Sequence, residues 1–324
     1  MSIRSIINEF AEKDLREFLE ISRNLSWKNF GKKVNFYIPS FTNYKISHIA
    51  SQPFSFPSIS ITGQFCSLNC KHCNGKLLHT MIPVLTPKDL FEVCKNLKNN
   101  GAFGCLISGG YSSNGSVPID EYIAIIGNIK RDLGLKVVVH TGIVNSDTAR
   151  KLKKANVDTA MLDIIGSNET IQEICRMNAC VRDYEKSMKF LQDYQVPFVP
   201  HILVGLNYGK IKGEFKAIEI ISKYQPSAVI LIAFKPIIGT QMEKNKPPIP
   251  EDIIRILIST RLKLPNIPIM LGCVRPMGEH RVKTDILAIE AGVNGIAFPS
   301  KEAIHLAKDM GLKISFSPIC CSQY

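Results

Sequence analysis

No apolar run in this sequence approaches the ~20 residues that span a bilayer; stretches such as 228–234 stop far short. The N-terminus, MSIRSIINEFAEKDLREFLE, lacks the apolar stretch of a secretory signal and carries acidic residues inside a helical period. Export is therefore not expected, and a cytoplasmic location is. There is one tryptophan, and no stripe in which basic residues interleave with aromatics, which argues against a nucleic-acid partner. Solenoid-type repeats and low-complexity linkers are missing, and no cysteine precedes Cys66.

Within those limits the composition is that of a globular chain. It has 324 residues, 45% hydrophobic and 21% charged, enough for a sizeable core and too apolar for long disorder. Lys and Arg number 40 against 28 Asp and Glu, a net charge of +12 that suits an acidic partner. The basic residues gather at 28–33, 150–154 and 210–216 rather than in one tail. Ten cysteines in a reducing compartment point to metal or catalysis more than to disulfides.

From about residue 51 onward, short β-branched runs alternate with amphipathic stretches, the pattern of βα units on a parallel sheet. Eight strands are expected at 58–62, 104–108, 136–140, 159–163, 197–203, 228–234, 267–271 and 295–298. Thr86-Pro87 opens the first helix with a cap and a first-turn proline, and Gly101 can close it. Further helices are expected at 120–130, 147–154, 182–194, 213–224, 250–261, 281–291 and 301–310. Eight of each is the arithmetic of a (β/α)8 TIM-type barrel, with an open doubly wound sheet as the alternative, because sequence pattern does not show closure. The expected organisation is an N-terminal helical extension over 1–50, the barrel over 51–311, and a short C-terminal tail over 312–324 carrying Cys320-Cys321.

Directly after the first strand stands Cys66-Ser-Leu-Asn-Cys70-Lys-His-Cys73, a C-x-x-x-C-x-x-C. Three thiolates within eight residues can wrap one corner of a 4Fe-4S cube and leave its fourth iron open to an external chelator. A structural zinc site would ask for a fourth Cys or His at zinc-type spacing, and His72 falls between two ligands instead.

This triad, in this position, resembles that of the radical S-adenosylmethionine (SAM) enzymes, and the likeness extends over roughly residues 55–300. Ser108-Gly109-Gly110 resembles the family's glycine motif for the SAM amino group, with Tyr111 where glutamate is common. Asp163-Ile-Ile-Gly, Pro200-His201 and Phe234-Lys-Pro-Ile-Ile-Gly239-Thr240 resemble segments of the biotin and lipoyl synthase branch. Within it, His140-Thr-Gly142, Pro200-His-Ile202, Leu271-Gly-Cys-Val-Arg-Pro276 and Cys320-Cys321 are similar to a subunit of the two-subunit lipoyl synthases. The resemblance implies a 4Fe-4S cluster on Cys66, Cys70 and Cys73, with SAM near Ser108, Gly109, Gly110, His140, Asp163 and Gly239. It implies catalytic roles for His140, Asp163, His201 and Arg275. The implied reaction uses a 5′-deoxyadenosyl radical for sulfur insertion into an octanoyl chain on a lipoyl carrier protein. The implied partners are that carrier, whose acidity would match the basic charge, a second radical SAM subunit, and a low-potential electron donor. Where biotin synthase places auxiliary-cluster ligands, this chain has His140, His201 and Met270.

Polar residues that end apolar barrel strands, here His140, Asp163, His201, Lys235 and Cys273, would converge at the C-terminal face of a barrel. Cys273 with Cys320 and Cys321 forms an expected auxiliary-cluster set, which requires the tail to fold back over that face; the alternative is a loose tail with unrelated thiols. Cys94 and Cys105 read as core residues, and Cys175 and Cys180 as surface or supporting thiols. Two other readings stay open: another radical SAM reaction, such as biotin-type insertion or methylation of a small molecule, and a non-catalytic iron-sulfur sensor or electron carrier.

Overall fold

A computed structural model describes residues 14–46 and 49–324; the first part of the expected N-terminal helix lies outside them. The chain opens with α1 (Leu15–Phe30), whose N-cap Asp14 accepts from the Arg16 N–H, and β1 (Lys33–Tyr37). A small hairpin, β2 (Lys45–Ile46) with β3 (Ile49–Ala50), precedes β4 (Ser58–Ser60) and β5 (Ile82–Pro83). Then follow α2 (Pro87–Asn99), β6 (Gly104–Ser108), α3 (Ile123–Asn128), β7 (Lys136–His140), α4 (Ser146–Lys154) and β8 (Thr159–Asp163). The second half holds α5 (Asn168–Thr170), running into one π turn at Ile171–Cys175, α6 (Val181–Asp193), β9 (Phe198–Val204), α7 (Glu214–Ile221), β10 (Val229–Ala233) and α8 (Pro250–Lys263). It ends with β11 (Ile269–Leu271), α9 (Glu279–Glu290), β12 (Gly295–Ala297), α10 (Lys301–Asp309) and β13 (Lys313–Ser317).

The eight expected strands are present and neighbour one another in sequence order, from β4 through β6 to β12, all parallel. Most of their residues are buried, on both faces, which is why they read as continuous apolar runs. The expected start of the first helix also holds: Thr86 Oγ1 accepts from the Asp89 N–H at 3.2 Å, and Pro87 needs no partner for a missing donor.

The sheet is larger than eight strands. β5 adds to the outside of β4, while β1 and then β13 add beyond β12, giving eleven strands. Among the described residues no ladder joins β4 to β12. The sheet nevertheless curls on itself, since Val138, Met161, Val199, Ile230, Met270, Ala297 and Tyr37, from seven strands, pack with Phe56 in one inner cluster. Its two flanks meet through a side chain next to the second strand from each edge: Ser40 Oγ, just past β1, accepts from the N–H of Phe56, just ahead of β4, at 3.0 Å. The barrel is thus curled and side-chain-latched rather than closed by strand pairing.

The N-terminal segment is part of this wall. Ser22 donates to the Ala291 carbonyl at 2.8 Å and Asn29 to that of Pro265 at 2.7 Å. A side chain at Gly292 would stand 2.8 Å from Arg23 Cα, so the turn after α9 needs its glycine for α1 to lie close. No helix among the described residues is long and apolar enough to cross a membrane.

Candidate functional site

The cysteine loop leaves β4 and is fixed at several points. Tight backbone turns wind it around its own thiols, with Asn74 N–H on the Cys70 carbonyl at 2.9 Å and Lys76 N–H on that of Cys73 at 2.9 Å. The end of β6 presses on it from one side. A Cβ at Gly110 would lie 1.9 Å from the Phe65 carbonyl oxygen and 2.6 Å from Cys66 Cα, so only glycine fits there. The Gly110 N–H donates to Thr62 Oγ1 at 2.7 Å, and the Tyr111 N–H points at Cys66 Sγ at 3.4 Å. Ser108, buried at the same strand end, donates toward the His140 carbonyl at 3.4 Å.

From the other side the π turn holds the loop: Lys71 N–H bonds the Ile174 carbonyl at 2.8 Å, and the Cys70 thiol lies 3.2 Å from the Cys175 carbonyl. The side chain of Cys175 is the largest of the influences that raise the Cys70 pKa. Cys175 is itself buried, so of the two positions expected, surface or supporting, it takes the second, backing Cys70 with its carbonyl and its side chain. Lys71, Tyr208 and Glu173 add an outer clamp, with Tyr208 donating to Glu173 at 2.6 Å and Lys71 to Tyr208 at 2.7 Å. Beside Cys70 a cavity of about 290 Å³ is lined by Asn69, Asn74, Gly239, Thr240 and Gln241, which brings Gly239 next to the loop.

Further along the sheet, His140 ends β7, Asp163 ends β8 and His201 stands on β9. One ligand-capable atom of each lies within 4.8 Å of the others. Tyr111 ties this group to the cysteine loop, its hydroxyl 3.1 Å from His140 Nδ1 and 3.5 Å from Asp163 Oδ2. Burial works against an ionised Asp163, but His140 and then His201 and His72 outweigh it and hold its pKa at about 2. Burial pushes His201 down to about 4, against the pull of Asp163. Lys235 is exposed.

Two expectations need correction. The C-terminal tail does not fold over the C-terminal face of the sheet. It enters from the opposite end: Gln323 bonds Thr159, the first residue of β8, and the Pro318 carbonyl accepts from Ser55, ahead of β4. Cys320 and Cys321 lie buried in the inner cluster with Met270, and Cys273 packs against that cluster from β11. The three thiols are thus neighbours by a route from below. Burial, then the charge of Cys320, raises Cys273 to about 11, while the neighbouring Cys321 thiol, against the effect of burial, lowers Cys320 to about 7 and makes it the more acidic of the vicinal pair.

Arg275 is the second correction. It is completely buried, and its five N–H groups go to both Asp285 oxygens and to the carbonyls of Gly272, Ala297 and Phe298. No donor remains for a substrate, so the geometry makes Arg275 a pin between the β11 and β12 loops. Cys94 and Cys105 are core residues as expected, their sulfurs 3.9 Å apart. Sequence reading passed over Tyr111 as a connector and over the π turn. The first carried a signal, since a phenol at a glutamate position keeps a hydrogen-bonding tip; the second carried none.

The donor set suits an iron-sulfur cluster. Three soft thiols on one loop, held by backbone turns and approached by backbone N–H groups, can ligate three irons of a cube. Buried His72 Nδ1 has no partner of its own and stands with Cys70 and Cys73.

Comparison with known proteins agrees with this geometry. Residues 60–218 match the family model described as Radical SAM superfamily. The chain is 24% identical over 226 residues to a biotin synthase of Leptospira biflexa, covering 67% of this chain and 62% of that protein. It is 21% identical to a 3-methylornithine synthase of Methanosarcina acetivorans, covering 91% of this chain and 81% of that one. The crystal structure of methylornithine synthase (PylB) shares the fold, with a TM-score of 0.66 at 15% identity over 97% of this chain and 94% of the other.

Proposed function

We propose, from the premise that this chain belongs to the radical SAM superfamily, that it catalyses sulfur insertion at an unactivated carbon of an acyl chain. The observation that carries this reading is that Cys273 packs against the inner cluster that holds Cys320 and Cys321 inside the barrel, where the charge of Cys320 reaches Cys273. Such a thiol set can hold an auxiliary iron-sulfur cluster as a sulfur source. The biotin synthase relatives favour sulfur chemistry as well. The proposed substrate, from the lipoyl synthase resemblance, is an octanoyl chain on a lipoyl carrier protein. The proposed partners are that carrier, a second radical SAM subunit and a low-potential electron donor.

Cys66, Cys70 and Cys73 would hold the 4Fe-4S cluster. When bound, the cluster and SAM together supply the radical that removes a hydrogen atom from carbon. The residues of this chain set the stage for it. Gly110 lets the cysteine loop lie against β6, and the Tyr111 N–H faces Cys66. Tyr111, His140, Asp163 and His201 line the next part of the chamber and would orient the substrate there. The core beneath and the tail plug exclude water from the other end. Residues around the loop are basic, among them Lys71, Lys76 and Arg176, which suits an acidic carrier.

The test is mass spectrometry of an octanoylated carrier peptide after anaerobic reconstitution, with SAM and reductant, using this protein alone and with its candidate partner subunit. A gain of sulfur with release of 5′-deoxyadenosine supports the reading. Release of 5′-deoxyadenosine with an unchanged peptide keeps the radical chemistry and rejects the substrate.

A further inference from the structure

We infer that His140, Asp163 and His201 form a mononuclear site for a divalent first-row transition metal, separate from the cysteine loop. Three neighbouring strands, β7, β8 and β9, bring one donor atom each to within 4.8 Å of the other two. The contacts among them are poor as hydrogen bonds: His140 Nε2 and Asp163 Oδ1 are 3.6 Å apart. That separation is close to the roughly 3–3.5 Å expected between two donors that each lie about 2.1 Å from one ion. The Nδ1 atom of His201 is buried and has no partner. A buried ring nitrogen left this way costs free energy unless something occupies its lone pair or accepts its proton.

The surroundings complete the pattern. Metal-bound imidazoles ordinarily use their second nitrogen in an outer hydrogen bond that fixes ring and tautomer. His140 has this: the Tyr111 hydroxyl sits 3.1 Å from Nδ1 and continues to Asp163 Oδ2 at 3.5 Å, leaving Nε2 directed at Asp163 Oδ1. Two imidazoles and one carboxylate make a borderline donor set that suits Zn²⁺ or Fe²⁺ and leaves coordination positions open. Those positions would take an oxygen of the substrate and set its reacting carbon. This catalytic consequence rests on the proposed function, whereas metal binding does not.

The test uses the full-length, cluster-loaded protein, equilibrated anaerobically with zinc chloride and desalted, with zinc and iron counted separately. Expected are about one zinc per chain and at least about tenfold weaker zinc binding in His201→Gln and Asp163→Asn. Cys320→Ser/Cys321→Ser should bind zinc unchanged. X-ray absorption at the zinc edge of the unaltered protein, which is independent of how any variant folds, should show nitrogen and oxygen neighbours only. Sulfur neighbours, no retained zinc, or equal retention in both site variants would overturn the site. Zinc retention needs no SAM turnover, so this result and the peptide assay fail independently.

Discussion

The side-chain amide of Gln323 donates to the hydroxyl of Thr159 at 2.6 Å, fastening the end of the chain to the first residue of β8. Thr159 is buried, so the bond is shielded from water. Gln323→Ala should lower the unfolding free energy by about 1 kcal/mol, the ordinary worth of such a bond. It should also speed thiol labelling of Cys320 and Cys321. Urea titration and timed labelling check both, and unchanged labelling would mean that the tail is not held here.

Gly110→Ala should prevent the cysteine loop from seating. The added methyl meets main chain, at 1.9 Å from the Phe65 oxygen, and main chain cannot swing aside as a side-chain end can. After anaerobic reconstitution, iron per chain is expected to fall by at least about half. Gly127→Ala, where the nearest atom is Ala155 Cα at 3.4 Å, should leave iron unchanged and is neutral or stabilising in a helix. Equal iron in the two variants would contradict the proposed seating.

For Arg275→Met and Asp285→Asn the expected loss is in folding. Each leaves a buried charge without its partner, at a cost of about 3–5 kcal/mol. Thermal melts of the two variants should fall together. If Arg275→Met melts like the parent and loses only turnover, the arginine has a catalytic part that its hydrogen bonds do not reveal.

Glu214 gives a pH dependence of defined sign. Burial raises its pKa above 4.5, only partly offset by N–H groups of Gly205 and Lys212 that donate to it. The folded protein therefore holds this proton more tightly than the unfolded chain does. The stability so contributed is complete below pH ~4.5 and is lost as pH rises through the raised folded value. Measured by urea unfolding at several pH values, the parent should lose stability relative to Glu214→Gln as pH climbs from about 4.5 to 7. A gap that stays constant or moves the other way would show that this carboxyl is not raised.

The sequence carried the strands, the Thr86-Pro87 helix start and the cysteine loop because each is decided within a few residues. Apolar alternation, a cap and a chelating spacing act over one turn or one loop whatever surrounds them. It misjudged Arg275 because a charged residue after a strand looks the same whether its donors face a chamber or five protein oxygens. The tail was misplaced for a related reason: Cys320-Cys321 read alike above or below a barrel, and only the long-range bonds of Ser55 to Pro318 and of Gln323 to Thr159 show that they come in from below.

By itself, then, the sequence determined the βα succession and a three-thiol loop fit for an iron-sulfur cluster, since both depend on local spacing. Tertiary structure alone decided how the sheet is latched, that Tyr111 bridges the cysteine loop to His140, and that His140, Asp163 and His201 come within 4.8 Å of one another. Those depend on strand register and on the curl of the sheet, which bring together residues separated by dozens of positions. No local pattern encodes such distances.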